Sequence, residues 1–172
     1  EKGFALDVSA KDGVLTKEEL LDALKSKPYD GVLCLLTDTI NGETFDAAPG
    51  AKIFANYAVG YNNIDLEAAT ARKILVTHTP GVLSETTADL VWAMILAGGR
   101  RLIEGDRLVR SGRWKGWAPT QLLGSDIHGK TLGIVGMGHI GKAVARRARG
   151  FSMQVLYYNR ARLDPALERE LD

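Results

Sequence analysis

The sequence predicts an α/β protein in two parts: a small α/β domain to about residue 80, then the opening half of a doubly wound nucleotide domain. Two observations carry that expectation. Short apolar runs at 32–36, 53–55 and 74–76 alternate with helix signals, the pattern of a parallel sheet covered on both faces. Further on, Gly136, Gly138 and Gly141 fit G-x-G-x-x-G directly after the run 131–135 and ahead of a helical stretch, with a second strand at 155–160.

Taken in order, Thr16-Lys-Glu-Glu19 is a capping box, and Leu20, Leu21 and Leu24 give the following helix its apolar face. Pro28 ends that helix. Val32-Leu-Cys-Leu-Leu36 has the length and continuity of a strand buried on both faces. Asp65 caps a helix over 66–72, between the shorter apolar runs at 53–55 and 74–76. Pro80-Gly81 breaks the alternation. Ser84 then offers an N-cap to a long apolar helix over 85–97, which Gly98-Gly99 closes. A second helix over 101–110 stops at Ser111-Gly112. The tract Arg113-Trp-Lys-Gly-Trp117-Ala-Pro119 is too rich in Gly, Pro and Trp for a regular element. Gly129-Lys130 opens the nucleotide unit, and the last residues form a charged, helical stretch.

The bulk properties exclude more than they assign. Over 172 residues, 45% apolar and 25% charged content is that of a globular chain, and a net charge of +1 argues for neither nucleic acid nor an anionic membrane. No apolar run approaches the roughly 20 residues that span a bilayer. The single cysteine, Cys34, rules out an intramolecular disulfide framework and reads as a buried strand residue. The chain has no initiator Met and no signal-peptide pattern, and it stops inside a helical stretch, so a piece of a longer protein is expected, cytoplasmic in location.

In the glycine turn, Gly136 permits the tight turn, Gly138 lets the backbone approach a pyrophosphate, and Gly141 lets the helix pack on the strand. The helix start at His139, Ile140 and Gly141 presents unpaired N–H groups and a partial positive charge to phosphates. At the tip of the second strand an NAD-preferring site carries Asp or Glu for the ribose 2′-hydroxyl. Here stand Asn159 and Arg160, with Arg162 near enough to assist. A guanidinium suits a 2′-phosphate, so NADP is expected over NAD. Upstream, the N–H groups near Val59 and Gly60 could cradle a small carboxylate, although composition alone supports only a turn before a helix. His78, His128 and His139 have no acid partner in a general acid–base pattern and no metal-ligand spacing. Arg146-Arg147 reads as a solvated helix face.

Three stretches, in order, carry a resemblance: Asn56-Tyr-Ala-Val-Gly-Tyr-Asn-Asn-Ile-Asp65, Thr79-Pro-Gly-Val-Leu-Ser-Glu-Thr-Thr-Ala-Asp-Leu90 and Gly133-Ile-Val-Gly-Met-Gly-His-Ile-Gly141. Together they resemble signatures of the D-isomer-specific 2-hydroxyacid dehydrogenase family, on its glyoxylate/hydroxypyruvate reductase branch. The resemblance implies a flavodoxin-like substrate domain over 1–80, incomplete at its N-terminus, and a truncated Rossmann-type NAD(P)-binding domain over 81–172, with a cleft between them. It implies a substrate carboxylate held by the Val59 and Gly60 amides, and Thr87 at the nicotinamide end, with Val82 a weaker candidate there. It also implies a homodimer built through an arm at about 101–125. The family's carbonyl-polarising Arg, and its His held by a Glu, have no match among these residues, so no catalytic residue is assigned and the chain alone is expected to be inactive. The parent activity implied is NADPH-preferring reduction of glyoxylate or hydroxypyruvate. Alternatives are a phosphoglycerate or formate dehydrogenase branch, or a non-catalytic nucleotide-binding or dimerisation module.

Overall fold

Thr16 starts the first helix as its spacing predicts: its hydroxyl accepts from the Glu19 N–H at 3.2 Å, and the Glu19 carboxylate takes the Thr16 N–H at 2.7 Å. A computed structural model describes residue 3 and residues 5–171. It divides into two units, Glu1–Val82 and Leu83–Asp172. The first holds α1 (Lys17–Lys25), β1 (Gly31–Leu35), α2 (Gly42–Ala47), β2 (Ile53–Tyr57), α3 (Leu66–Ala71) and β3 (Leu75–Thr77). The second holds α4 (Ser84–Gly99), α5 (Leu102–Arg110), β4 (Thr131–Val135), α6 (His139–Ala148), β5 (Gln154–Tyr158) and α7 (Pro165–Leu171). Among the described residues no helix is long and apolar enough to cross a membrane.

In the first unit β1, β2 and β3 pair in that order and in parallel, Val32 beside Phe54 and Phe54 beside Val76. A parallel neighbour needs a crossover, and here α2 and α3 supply it. The core lies on one face of the sheet. Cys34 and Phe54 meet Leu20, Leu21 and Leu24 of α1, Phe45 of α2 and Ala69 of α3, with Phe45 set edge-on to Phe54 at 5.0 Å. Asp65 caps α3 by accepting the Ala68 N–H at 2.9 Å. A bidentate Arg72–Asp46 pair at 2.8 and 3.0 Å ties α3 to α2.

The second unit pairs β4 with β5, also in parallel, and α4 and α6 cover one face of the pair. Trp92 of α4 anchors that packing: its indole N–H donates to the Val144 carbonyl at 3.1 Å and its ring stacks on Phe151 at 4.5 Å. Arg146 and Arg147 are more than a solvated face. Arg146 reaches Glu85 at 2.7 Å, and Arg147 reaches Glu85 at 2.8 Å and Asp89 at 2.7 Å, which fastens α6 to α4.

Three local expectations are corrected. Ser84 lies inside α4 rather than capping it: Leu83 is the cap residue and offers no side-chain bond. Arg101 stands outside α5 with φ 53°, a left-handed residue that breaks the chain between α4 and α5. The strands are covered on one face and open on the other: Leu33 is 73% exposed, Tyr57 71%, Val135 87% and Tyr158 69%.

Candidate functional site

Two loops at the C-terminal ends of strands gather the chemistry. The first follows β2. Asn56, buried at the end of that strand, donates through Nδ2 to the Gly60 carbonyl at 2.9 Å and to Asn63 Oδ1 at 3.0 Å. Asn63 returns its own Nδ2 to Asn56 Oδ1 at 3.3 Å and to the Leu35 and Asp38 carbonyls at 3.2 and 3.1 Å. This amide pair ties the loop to the end of β1, and it leaves no buried side-chain atom of Asn56 unsatisfied. Neighbouring bonds hold the loop from the other side. His78 Nδ1 lies 2.8 Å from the Val59 carbonyl, and the Thr79 N–H donates to the Ala58 carbonyl at 2.8 Å. Tyr61 packs edge-on to the His78 ring at 5.1 Å.

The amides behave differently from the carbonyls in this loop. The N–H groups of Val59, Gly60 and Tyr61 have no acceptor among the described residues, and all three residues are exposed. A run of unpaired N–H groups on a fixed loop is what an anion nest requires. The structure therefore leaves Val59 and Gly60 with free donors where a carboxylate is expected. Cys34 lies beneath, buried, with Sγ 3.6 Å from Asn56 Oδ1, and burial pushes its thiol up to about 11. At that value it is an inert packing residue.

The second loop joins β4 to α6. Gly136 has φ 98°, a left-handed conformation that favours glycine. A Cβ on Gly141 would strike the Gly136 carbonyl oxygen, so the helix can approach the turn this closely only with glycine there. A Cβ on Gly138 would instead meet open space. Backbone conformation demands the first glycine and packing the third; the second faces open space, which would admit a pyrophosphate to the backbone. No side chain caps α6, and His139 and Ile140 are exposed at its first turn. The residues present therefore fit a dinucleotide: the turn and the N–H groups of His139, Ile140 and Gly141 for its phosphates, and the strand tip for its ribose.

That tip follows Tyr158, the last residue of β5. Asn159 turns back, Nδ2 donating to the Ala161 carbonyl at 3.1 Å. Arg160 is exposed and makes no hydrogen bond or ion pair among the described residues. Arg162, expected beside it, is engaged elsewhere: its guanidinium makes two bonds to Glu168, at 2.9 and 2.8 Å. The Tyr157 hydroxyl makes a short bond to the same carboxylate. Arg162 first, then Tyr157, hold the Glu168 carboxyl down at about 2. Thr87 sits in the first turn of α4, half-buried, its N–H on the Leu83 carbonyl and its hydroxyl unbonded; Val82 is exposed. Among the described residues no group of three or more His, Cys, Asp or Glu could hold a metal ion.

Sequence reading does not single out the Asn56–Asn63 pair or His78, the side chains that brace the loop after β2. Asn at the end of an apolar strand is the one available signal for the pair, because a buried amide there needs partners. His78 faces the loop from 19 residues away, and no local pattern carries that.

Residues 92–171 match a family model described as the NAD binding domain of D-isomer specific 2-hydroxyacid dehydrogenases. A glyoxylate reductase of Korarchaeum cryptofilum is 51% identical over 172 residues, covering 99% of this chain and 51% of that protein. The crystal structure of the TT0316 protein from Thermus thermophilus aligns with a TM-score of 0.85 at 49% identity, over 90% of this chain and 49% of that one. A glyoxylate reductase structure from Paecilomyes thermophila aligns with a TM-score of 0.73 at 36% identity, over 89% of this chain and 48% of that one. The chain thus spans about half the length of the curated relatives it matches.

Proposed function

We propose, from the premise that this chain belongs to the D-isomer specific 2-hydroxyacid dehydrogenase family, that its parent protein reduces a small 2-oxo acid, glyoxylate or hydroxypyruvate, with NADPH preferred. The observation that carries this is the run of unpaired amides at Val59 and Gly60 on a loop fixed by side chains. It matches one end of a 2-oxo acid, the carboxylate, and leaves the carbonyl free to react. Bound nicotinamide would supply the hydride that the carbonyl carbon accepts.

This chain's own residues bind and orient. Gly136, Gly138 and the amides of His139, Ile140 and Gly141 hold the pyrophosphate. Arg160 meets the ribose 2′-phosphate, with Asn159 shaping the turn that presents it. Thr87 offers its hydroxyl at the nicotinamide end. Residues 101–125 serve as the arm of a homodimer, since α5 buries none of its residues and Ile103, Val109 and Trp117 are exposed.

The test is steady-state kinetics on the full-length parent. Glyoxylate or hydroxypyruvate is expected to be reduced with NADPH. Gly60→Pro, which deletes one cradle N–H, is expected to raise KM about tenfold or more, the cost of a lost charge-assisted hydrogen bond. An unchanged KM would remove the cradle.

A further inference from the structure

The proposed cradle rests on three peptide planes, and each is held through its carbonyl. The peptide bonds of this loop are trans, and a trans peptide is planar, so the C=O of one residue points opposite the N–H of the next. Fixing a carbonyl therefore aims the following amide. The Thr79 N–H takes the Ala58 carbonyl, His78 Nδ1 takes the Val59 carbonyl, and Asn56 Nδ2 takes the Gly60 carbonyl. The amides aimed in this way belong to Val59, Gly60 and Tyr61, none of which has an acceptor among the described residues. A carbonyl oxygen only accepts, so His78 Nδ1 must carry the proton of its bond.

We propose that His78 and Asn56 are positioning residues for the substrate carboxylate, acting through the Val59 and Gly60 carbonyls, and that the Tyr61 N–H is a third donor of the cradle. This rests on the reading of Val59 and Gly60 as a carboxylate site. The two side chains reach the loop from different places. Asn56 is buried at the end of β2 and braced by Asn63, whereas His78 comes from the segment after β3 and is steadied by the Tyr61 ring. Neither touches substrate. Without them the planes are free to rotate, and a cradle that must be ordered on each binding event holds its anion more weakly.

Histidine and asparagine each carry a nitrogen directly on Cγ, so His78→Asn can keep the bond to Val59 while His78→Phe removes it. In the full-length parent, with saturating cofactor, His78→Phe is expected to raise both the KM for glyoxylate and the Kd for oxamate about tenfold, with kcat within about twofold. His78→Asn is expected to restore both to within about threefold of the parent. Asn56→Asp, which replaces the donor with an acceptor, is expected to raise both in the same way. If His78→Phe leaves KM and Kd unchanged while Gly60→Pro raises them, the cradle stands and the positioning role is overturned. If His78→Asn is no better than His78→Phe, the hydrogen bond is not the cause, and the proposal is overturned too. If none of the variants changes oxamate binding, the cradle itself falls and the proposal falls with it.

Discussion

At the scale of single residues, the proposed preference for NADPH rests on Arg160. Two arginines follow β5, but Arg162 is bound to Glu168 through Nε and Nη2, and that carboxyl is held at about 2. At neutral pH the pair is therefore intact, and at the tip Arg160 alone is unpaired among the described residues. An acid in its place would accept the ribose 2′-hydroxyl and repel a 2′-phosphate by roughly 1–4 kcal/mol at 4 Å, depending on the effective dielectric. Arg160→Asp in the full-length parent should thus weaken NADPH by about 10-fold to 100-fold and leave NADH as good or better. Side-by-side titration of the two cofactors checks it, and an unchanged preference would overturn this reading of the tip. The Glu168 pair gives a second expectation. Its folded value lies below its ordinary 4.5, so the stability it contributes is present above about 4.5 and is lost as pH falls towards 2. A carboxyl-detected NMR titration should place its midpoint near 2, and a midpoint near 4.5 would mean that the pair does not form in solution.

At the scale of elements, the sequence was most informative where a local signal fixes a local structure. The capping box of α1, the Asp65 cap of α3 and the glycine spacing of the β4–α6 turn all depend on neighbours within a few residues. What was not legible depends on distant partners. Leu33 and Leu35 are as apolar as Val32, so nothing in the run 32–36 shows that one face stays open. The six-residue helix α2 is too short for a periodic signal, and the Arg146 and Arg147 pairs lie about 60 residues from Glu85 and Asp89. The proposed cradle divides the same way: Val59 and Gly60 lie in a readable motif, while His78 is placed by the fold. Helix α5 and the tract after it raise a further question that one chain poses and a second copy answers. Val109 at 59% and Trp117 at 83% exposure are costly to leave in water. Sedimentation of the full-length parent should show a dimer, and Val109→Asp with Trp117→Asp should shift it to monomer. A parent that sediments as a monomer at micromolar concentration would rule the arm out.

At the scale of the whole molecule, both sheets have the same imbalance. In the first unit the helices cover the face of Cys34 and Phe54, and Leu33, Leu35, Tyr57 and Leu75 stand 45–73% exposed on the other. In the second, Val135, Leu156 and Tyr158 stand 56–87% exposed opposite α4 and α6. Parallel sheets ordinarily have both faces covered, because their strands are apolar on both sides. Contiguous apolar surface beside unpaired strand edges is a standing invitation to self-association. The 172-residue chain purified by itself should therefore bind a hydrophobic dye strongly and form aggregates as its concentration rises. Leu33→Glu together with Leu156→Glu, which put charge on both open faces without touching either core, should lower dye binding and delay aggregation. A chain that stays monomeric, binds little dye and melts in one cooperative transition would show that these faces are covered in solution, contrary to the exposure seen here.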